Sequence, residues 1–211
     1  MADEATVISR PDSTLVQRAA EFSTATLGEA SGKPIDLSAA IQPISHRMKL
    51  CGPAITVSSP AGDNLTLHQA IYVAHPGDVL VVEVSGLYEA GYWGEIMTQA
   101  ALHRKIAGLV IDGCVRDSDA IEETGFPVFA RGLCIRGTAK RGKGRINRPI
   151  TIGEVSIMPG DLVVGDRDGV VVIPQPEILQ ILAEAEKRDQ KESWVKDELA
   201  AGKTTLEIYG W

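Results

Sequence analysis

The chain has 211 residues, 44% hydrophobic and 23% charged, a balance that suits one compact globular domain with enough length to bury a core without staples. Its net charge of -7 argues against a general nucleic-acid binder, and three cysteines (Cys51, Cys114, Cys134) without a C-x-x-C pair argue against a disulfide framework or a thiolate zinc site. The start, MADEATVISRPDS, lacks the apolar stretch of a secretory signal, and no apolar run approaches the roughly 18 residues that span a bilayer, so the expectation is a cytoplasmic protein with no membrane or nucleic-acid partner.

In chain order, Asp12 or Ser13 caps a predicted first helix through Phe22, with Leu15, Val16 and Ala19 at helical spacing. A short helix follows over 24–30, closed by Gly32 and Pro34. Residues 53–59 (PAITVSS) are β-branched and predict a strand. Residues 64–74 (NLTLHQAIYVA) predict a helix, and Pro76-Gly77-Asp78 a turn. Residues 79–84 (VLVVEV) are an apolar run broken only by Glu83, as in a strand buried on both faces. A loop with Gly86, Gly91 and Gly94 leads to a helix over 95–105. Then come a second buried strand over 108–112 (GLVID), a short helix over 117–124 ended by Gly125, and a strand over 126–130 (FPVFA) entered through Pro127. This alternation implies βαβ units and a largely parallel sheet covered by helices.

The pattern then changes. Residues 131–148 (RGLCIRGTAKRGKGRINR) hold seven basic residues and no acidic one, as would suit a collector of small anions, a solvated loop or a subunit contact. Over 150–174, short strands alternate with Gly-Glu, Pro-Gly-Asp and Asp-Arg-Asp-Gly turns, which predicts an antiparallel region. Pro176 opens a long charged helix that runs to about 201 and stops at Gly202. Glu184 and Arg188, and Glu192 and Lys196, are spaced on it for salt bridges, and Ile178, Leu182 and Ala185 form an apolar stripe. The expected architecture is a single α/β domain over 1–211: a mixed sheet with helices, a β-rich second half and a C-terminal helical arm over 176–202.

Two segments carry chemistry. In GLVIDGCVRDSDAIEETG the predicted strand ends at Asp112, Gly113 begins the turn, and Arg116-Asp117 fall in the loop beyond. Ligands of α/β sheets bind outside the carboxyl ends of strands. A guanidinium there is a planar fork suited to a carboxylate, and a carboxylate is a hard oxygen ligand suited to Mg²⁺ or Mn²⁺. The same pair also fits an ordinary helix-start aspartate with a neighbouring ion pair. The second segment is Tyr92-Trp93-Gly94-Glu95-Ile96. Gly94 admits close approach to the backbone, and the free N–H groups of the following helical turn suit an organic carboxylate. Glu95 fits the holding of a metal-bound water, or simply a favourable acid in a first turn. Tyr92 and Trp93 fit a pocket wall and a core equally well. His46, His68, His75 and His103 show no i, i+4 pair and are read as structural.

Glu95, twenty intervening residues and then Arg116-Asp117 resemble the acidic–X20–Arg-Asp signature of the 4-hydroxy-4-methyl-2-oxoglutarate / 4-carboxy-4-hydroxy-2-oxoadipate aldolases of the RraA-like superfamily. Further segments agree: Gly52-Pro53-Ala54, Asp63-Asn64, His75-Pro76-Gly77-Asp78, Ile111-Asp112-Gly113, Gly125 to Phe129, and Pro159-Gly160-Asp161 through Asp168-Gly169-Val170. The likeness covers roughly residues 25 to 202. It implies a swivelling β/β/α-type domain that assembles as a homotrimer or homohexamer. It also implies a divalent cofactor, Mg²⁺ or Mn²⁺, with Asp117 as its direct ligand. Arg116 then matches the residue that binds the keto oxygen and carboxylate of pyruvate. The backbone N–H groups at Glu95 and Ile96, beside Gly94, match those that hold the carboxylate. Glu95 matches the acid that orders water on the ion, often Asp in the family. Glu192 matches a glutamate supplied by a neighbouring subunit; read alone, it is a solvated helix residue paired with Lys196. Asn64 aligns with a substrate-side position.

The reaction so implied is class II aldol cleavage of a 4-hydroxy-2-oxo acid to pyruvate plus pyruvate or oxaloacetate, in the breakdown of aromatic compounds. Oxaloacetate decarboxylation follows as a side activity through the same enolate. Water oriented by Glu95 and Glu192 is the expected base. Two alternatives are a dedicated oxaloacetate decarboxylase and a non-catalytic regulator that binds ribonuclease E. The regulators tend to keep the Arg-Asp but have Gly where this chain has Glu95, so Glu95 together with Glu192 favours an enzyme.

Overall fold

The computed structural model describes residues 8–211; residues 1–7, which include much of the stretch read for a secretory signal, lie outside the described residues. Two short helices open it. In α1 (Ser13–Ala19) the N-cap Asp12 accepts a hydrogen bond from the N–H of Thr14, and in α2 (Thr24–Ser31) Ser23 accepts one from Thr26. The first helix ends three residues before the expected Phe22.

The sheet begins with β1 (Gln42–Pro43) and β2 (Leu50–Ser58). After α3 (Leu65–Val73) comes β3 (Val79–Glu83), and after α4 (Glu95–His103) comes β4 (Gly108–Val115). Next, α5 (Ser118–Thr124) leads to β5 (Val128–Leu133). Strands β2, β3, β4 and β5 are parallel neighbours, with Ala54 opposite Val79, Val79 opposite Gly108 and Leu109 opposite Val128. Every residue of β4 is buried, as a strand covered on both faces requires.

The second half adds β6 (Arg145–Ile146), an edge pair on β2, and a separate antiparallel hairpin of β7 (Ile150–Ile152) with β8 (Val155–Ile157). Strands β9 (Leu162–Asp166) and β10 (Gly169–Ile173) are antiparallel to each other, and β9 is antiparallel to β2. The main order is β1-β5-β4-β3-β2-β9-β10. One segment joins its two outer ends: Leu37 donates to Val170 on β10, and Gln42 pairs with Ala130 on β5. The mixed sheet is thus nearly closed.

Helix α6 (Ile178–Ala200) lays Ile178, Ile181, Leu182 and Ala185 against α1, α2 and the β9–β10 face, where Leu27, Leu162, Val164 and Val171 complete a second apolar cluster. Beyond Ala185 only Val195 is buried on this helix, while Trp194 and Leu199 face outward. A final short helix, α7 (Thr205–Tyr209), was not foreseen; Thr204 and Glu207 close it with a reciprocal capping box. The expected pairs Glu184–Arg188 and Glu192–Lys196 are replaced by others. Glu184 pairs with Lys187, and Arg188 takes Glu192 at 3.2 Å and also Glu29 on α2. No helix among the described residues is long and apolar enough to cross a membrane.

Candidate active site

The main local correction concerns β4. It does not end at Asp112 but continues through Gly113 and Cys114 to Val115, with a register shift against β5 between Ile111 and Cys114. Asp112 is buried and bound by Arg131 at 2.6 Å, and the Arg131 guanidinium lies over the Tyr88 ring. Paired this way, Asp112 stays inside the fold, and the chain leaves the sheet three residues later. Gly113 supplies room rather than a turn: a Cβ there would meet Val84 at 3.1 Å and Tyr92 at 3.3 Å.

Three segments meet at the carboxyl end of β4. Tyr92 N–H donates to Cys114 O at 3.0 Å, Arg116 N–H donates to Trp93 O at 2.9 Å, and Cys134 N–H donates to Val115 O at 2.8 Å. Tyr92 and Trp93 belong to the core, both fully buried. The Tyr92 hydroxyl donates to Leu87 O and accepts from Gly62 N–H. Trp93 Nε1 donates to Thr98 Oγ1, and its ring stacks on Phe126. These two aromatics hold the loop so that Gly94-Glu95 lie beside Arg116-Asp117.

Asp117 is the N-cap of α5 with a left-handed backbone, φ 59, a conformation that Asp tolerates better than most residues and that recurs at functional sites. Its Oδ2 accepts the Glu95 N–H at 3.1 Å and lies 3.7 Å from Arg116 Nε. Gly94 leaves this carboxylate its place, since a Cβ there would collide with Asp117 Oδ2. Among the described residues, Asp117 Oδ1 and the Glu95 side chain take no hydrogen bond. Both Arg116 and Asp117 are nearly half exposed. They line an open pocket of about 340 Å³ with Ser118, Leu133, Cys134 and Ile135.

Thus Gly94, Glu95, Arg116 and Asp117 come together, with Ile96 exposed at the start of α4. Two other predicted residues lie elsewhere within the chain. Glu192 pairs with Arg188 and borders a different groove with Ser23, Thr26 and Lys196. Asn64 is buried beneath the loop, its Nδ2 donating to Tyr92 O at 2.8 Å and its Oδ1 without a partner. The sequence reading missed Leu133, Cys134 and Ile135. Their only signal was the placement of β5 beside β4, which also puts the end of β5 at the ligand edge.

The donor set fits a hard, largely hydrated ion. No group of three or more His, Cys, Asp or Glu gathers among the described residues, so a closed zinc-type cage is not built. Asp117 Oδ1 is one free carboxylate oxygen at a solvent-filled edge, which is how Mg²⁺ is commonly held, with waters retained. The four histidines take no part in the cluster; His103 Nδ1 meets Gln99 O at 2.8 Å, and the His75 N–H donates to Asp78.

The family model described as RraA-like, Aldolase/RraA, matches residues 23–172, and the chain belongs to this family. It is 38% identical over 188 residues to a Halalkalibacterium halodurans protein whose name reads "Putative 4-hydroxy-4-methyl-2-oxoglutarate aldolase", covering 87% of this chain and 90% of that protein. Among solved structures, an uncharacterized protein from Pseudomonas syringae pv. tomato superposes with a TM-score of 0.84 at 28% identity, covering 97% of this chain and all of that one. Streptomyces coelicolor RraAS2, described as an unusual member of the RNase ES inhibitor RraA protein family, superposes with a TM-score of 0.80 at 29% identity over 90% of this chain and 99% of that one.

Proposed function

We propose that this chain is a class II pyruvate aldolase. It cleaves 4-hydroxy-4-methyl-2-oxoglutarate or 4-carboxy-4-hydroxy-2-oxoadipate to pyruvate plus pyruvate or oxaloacetate, and decarboxylates oxaloacetate as a side activity. The observation that carries this reading is an exposed guanidinium and an exposed carboxylate with a free oxygen at one pocket, the carboxylate bonded to the first N–H of α4. A family relative named for this activity supports it.

The cleaved bond leaves its electron pair on the pyruvyl fragment, and the barrier lies in that developing negative charge. Asp117 would hold Mg²⁺ or Mn²⁺, which when bound would supply Lewis-acid stabilisation of it. Arg116 adds a fixed positive charge and a two-pronged donor for the keto oxygen and carboxylate. That carboxylate lies against the first turn of α4 beside Gly94, held by the Ile96 N–H, while the Glu95 N–H is shared with Asp117. The Glu95 side chain orients a water that takes the proton of the C4 hydroxyl. Glu192 of a neighbouring copy is the second acid, so the working unit is a homotrimer or homohexamer of single-domain chains, with the arm over 176–202 reaching across.

The likeness to RraAS2 favours a second reading, a regulator that binds a ribonuclease. The two separate in one assay: purified protein with Mg²⁺ is given 4-hydroxy-4-methyl-2-oxoglutarate or oxaloacetate, and pyruvate is measured with lactate dehydrogenase. The enzyme reading predicts release from both substrates that stops on chelation and returns with Mg²⁺. No pyruvate from either substrate would leave the regulator.

A further inference from the structure

The segment 131–148 holds seven of the 21 Lys and Arg and none of the 28 Asp and Glu. The remainder of the chain therefore sets 14 basic groups against 28 acidic ones and repels a polycarboxylate. Within the segment, Arg131 is consumed by Asp112. Arg136, Lys140, Arg141, Lys143, Arg145 and Arg148 are all exposed and form no salt bridge among the described residues.

These cations stand on a backbone that is clamped down. The buried Asp63 carboxylate accepts from the N–H groups of Arg141 at 2.6 Å and Gly142 at 2.9 Å, and Thr66 Oγ1 accepts from Gly144 N–H at 3.0 Å. Ala139 exchanges hydrogen bonds with Gly62 and Asn64. A Cβ at Gly144 would strike the Ser58 carbonyl, so the glycine lets the loop lie this close. The root of the loop is a wall of the pocket: Ile135 lines it, and Arg136 O accepts the Gly91 N–H at 2.8 Å. Gly91 in turn abuts the Arg116 side chain. Asn64 bonds Ala139 with its backbone and Tyr92 with its amide, tying the loop to the segment that leads into Glu95.

We infer that this loop is an electrostatic collar that draws di- and tricarboxylate substrates to the Arg116–Asp117 pocket and favours the more highly charged ones. The inference rests on the function proposed above. Fixed charges of one sign on a loop rooted in the wall of a site raise local substrate concentration and association rate by roughly 10- to 1,000-fold, and the effect fades as salt shortens the screening length from about 10 Å at 0.1 M.

The test is the triple variant Lys140→Gln, Arg141→Gln, Lys143→Gln, which keeps the clamp because Asp63 holds backbone groups. For a 4-hydroxy-2-oxo tricarboxylate at low salt, kcat/KM should fall about tenfold with kcat little changed. The loss should be smaller for a dicarboxylate, and the two proteins should converge near 0.5 M NaCl. Equal kcat/KM and equal salt dependence in variant and wild type overturn the inference. Calorimetric titration with tricarballylate, which cannot be cleaved, runs in parallel on metal-free protein. If neither protein turns over any substrate, the aldolase reading fails. The titration still decides the loop: tighter, salt-sensitive binding by wild type supports the collar, and identical binding refutes it.

Discussion

Two Arg–Asp pairs sit at opposite ends of the parallel strands and are put to opposite uses. Before β3, Arg10 grips Asp78 with two hydrogen bonds of 2.8 Å, and the same buried carboxylate accepts the His75 N–H. Every strong acceptor of Asp78 is spent on the fold. After β4, Arg116 and Asp117 are 3.7 Å apart and nearly half exposed, with donors and one carboxylate oxygen unused. The same two residue types make a rivet where the carboxylate is buried and saturated, and the proposed binding site where both are open and unsatisfied.

Substitutions on each pair should separate these roles most sharply. Arg116→Ala should lower kcat/KM by about 100- to 1,000-fold and shift stability by no more than about 0.5 kcal/mol, as an exposed position allows. Asp78→Ala should do the reverse, removing about 3 kcal/mol by stranding a partly buried guanidinium while the folded fraction keeps its kcat. Thermal melts and the pyruvate assay read both. A stable, fully active Asp78 variant would break the comparison.

Glycines repeat the contrast on a smaller scale. An added Cβ at Gly52 would collide with the Gly77 carbonyl, whereas at Gly94 it would meet the movable end of Asp117. Gly52→Ala should therefore cost about 1–3 kcal/mol. Gly94→Ala should leave the melt nearly unchanged and displace the carboxylate, lowering activity by about tenfold or more.

The clamp beneath the basic loop gives a pH signature. Burial pushes the Asp63 carboxyl up, but the N–H groups of Arg141, Leu65 and Gly142, with Lys140 nearby, bring it below its ordinary value. A depressed carboxyl contributes stability that is present above its unfolded value of about 3.9 and is lost as pH falls through the lower folded value. Urea unfolding should show Asp63→Asn weaker than wild type at pH 7 and flatter between pH 4 and pH 3. Parallel acid limbs would contradict the assignment.

The smallest effect concerns the thiols. Burial pushes Cys51 up to about 12 and also raises Cys114, with Cys134 adding to the second. Iodoacetamide at pH 8 should label Cys51 and Cys114 slowly and the pocket-lining Cys134 before them, because raising a thiol suppresses its reactive thiolate. Equal labelling of Cys51 would be inconsistent with its part-buried, raised thiol.

The parallel strands were legible because β3 and β4 are apolar on both faces, and the helices between them carried turn signals at both ends. Position alone left Arg116, Asp117, Gly94 and Glu95 open to bland readings, and the resemblance of the Glu95–X20–Arg116-Asp117 spacing to a family signature grouped them. The end of β4 was not legible. Gly113 looks like a turn residue, and only the Asp112–Arg131 pair and the space beside Val84, both tertiary facts, let the strand run on. The near closure of the sheet depends on residues 35–37 bonding β10, a contact with no local pattern. The pocket wall at Leu133–Ile135 was hidden because it comes from a neighbouring strand. Glu192 lies apart from this cluster within one chain, a separation that no local pattern signals.

In the function proposed, Asp117 seats a divalent ion on which cleavage depends. The direct measurement is pyruvate release against Mg²⁺ concentration for wild type and Asp117→Asn, with equal melting temperatures confirmed first. Saturable activation of wild type and loss of at least about 100-fold in the variant are predicted. Full-speed cleavage by metal-free wild type, or an unchanged Mg²⁺ curve in Asp117→Asn, would contradict it.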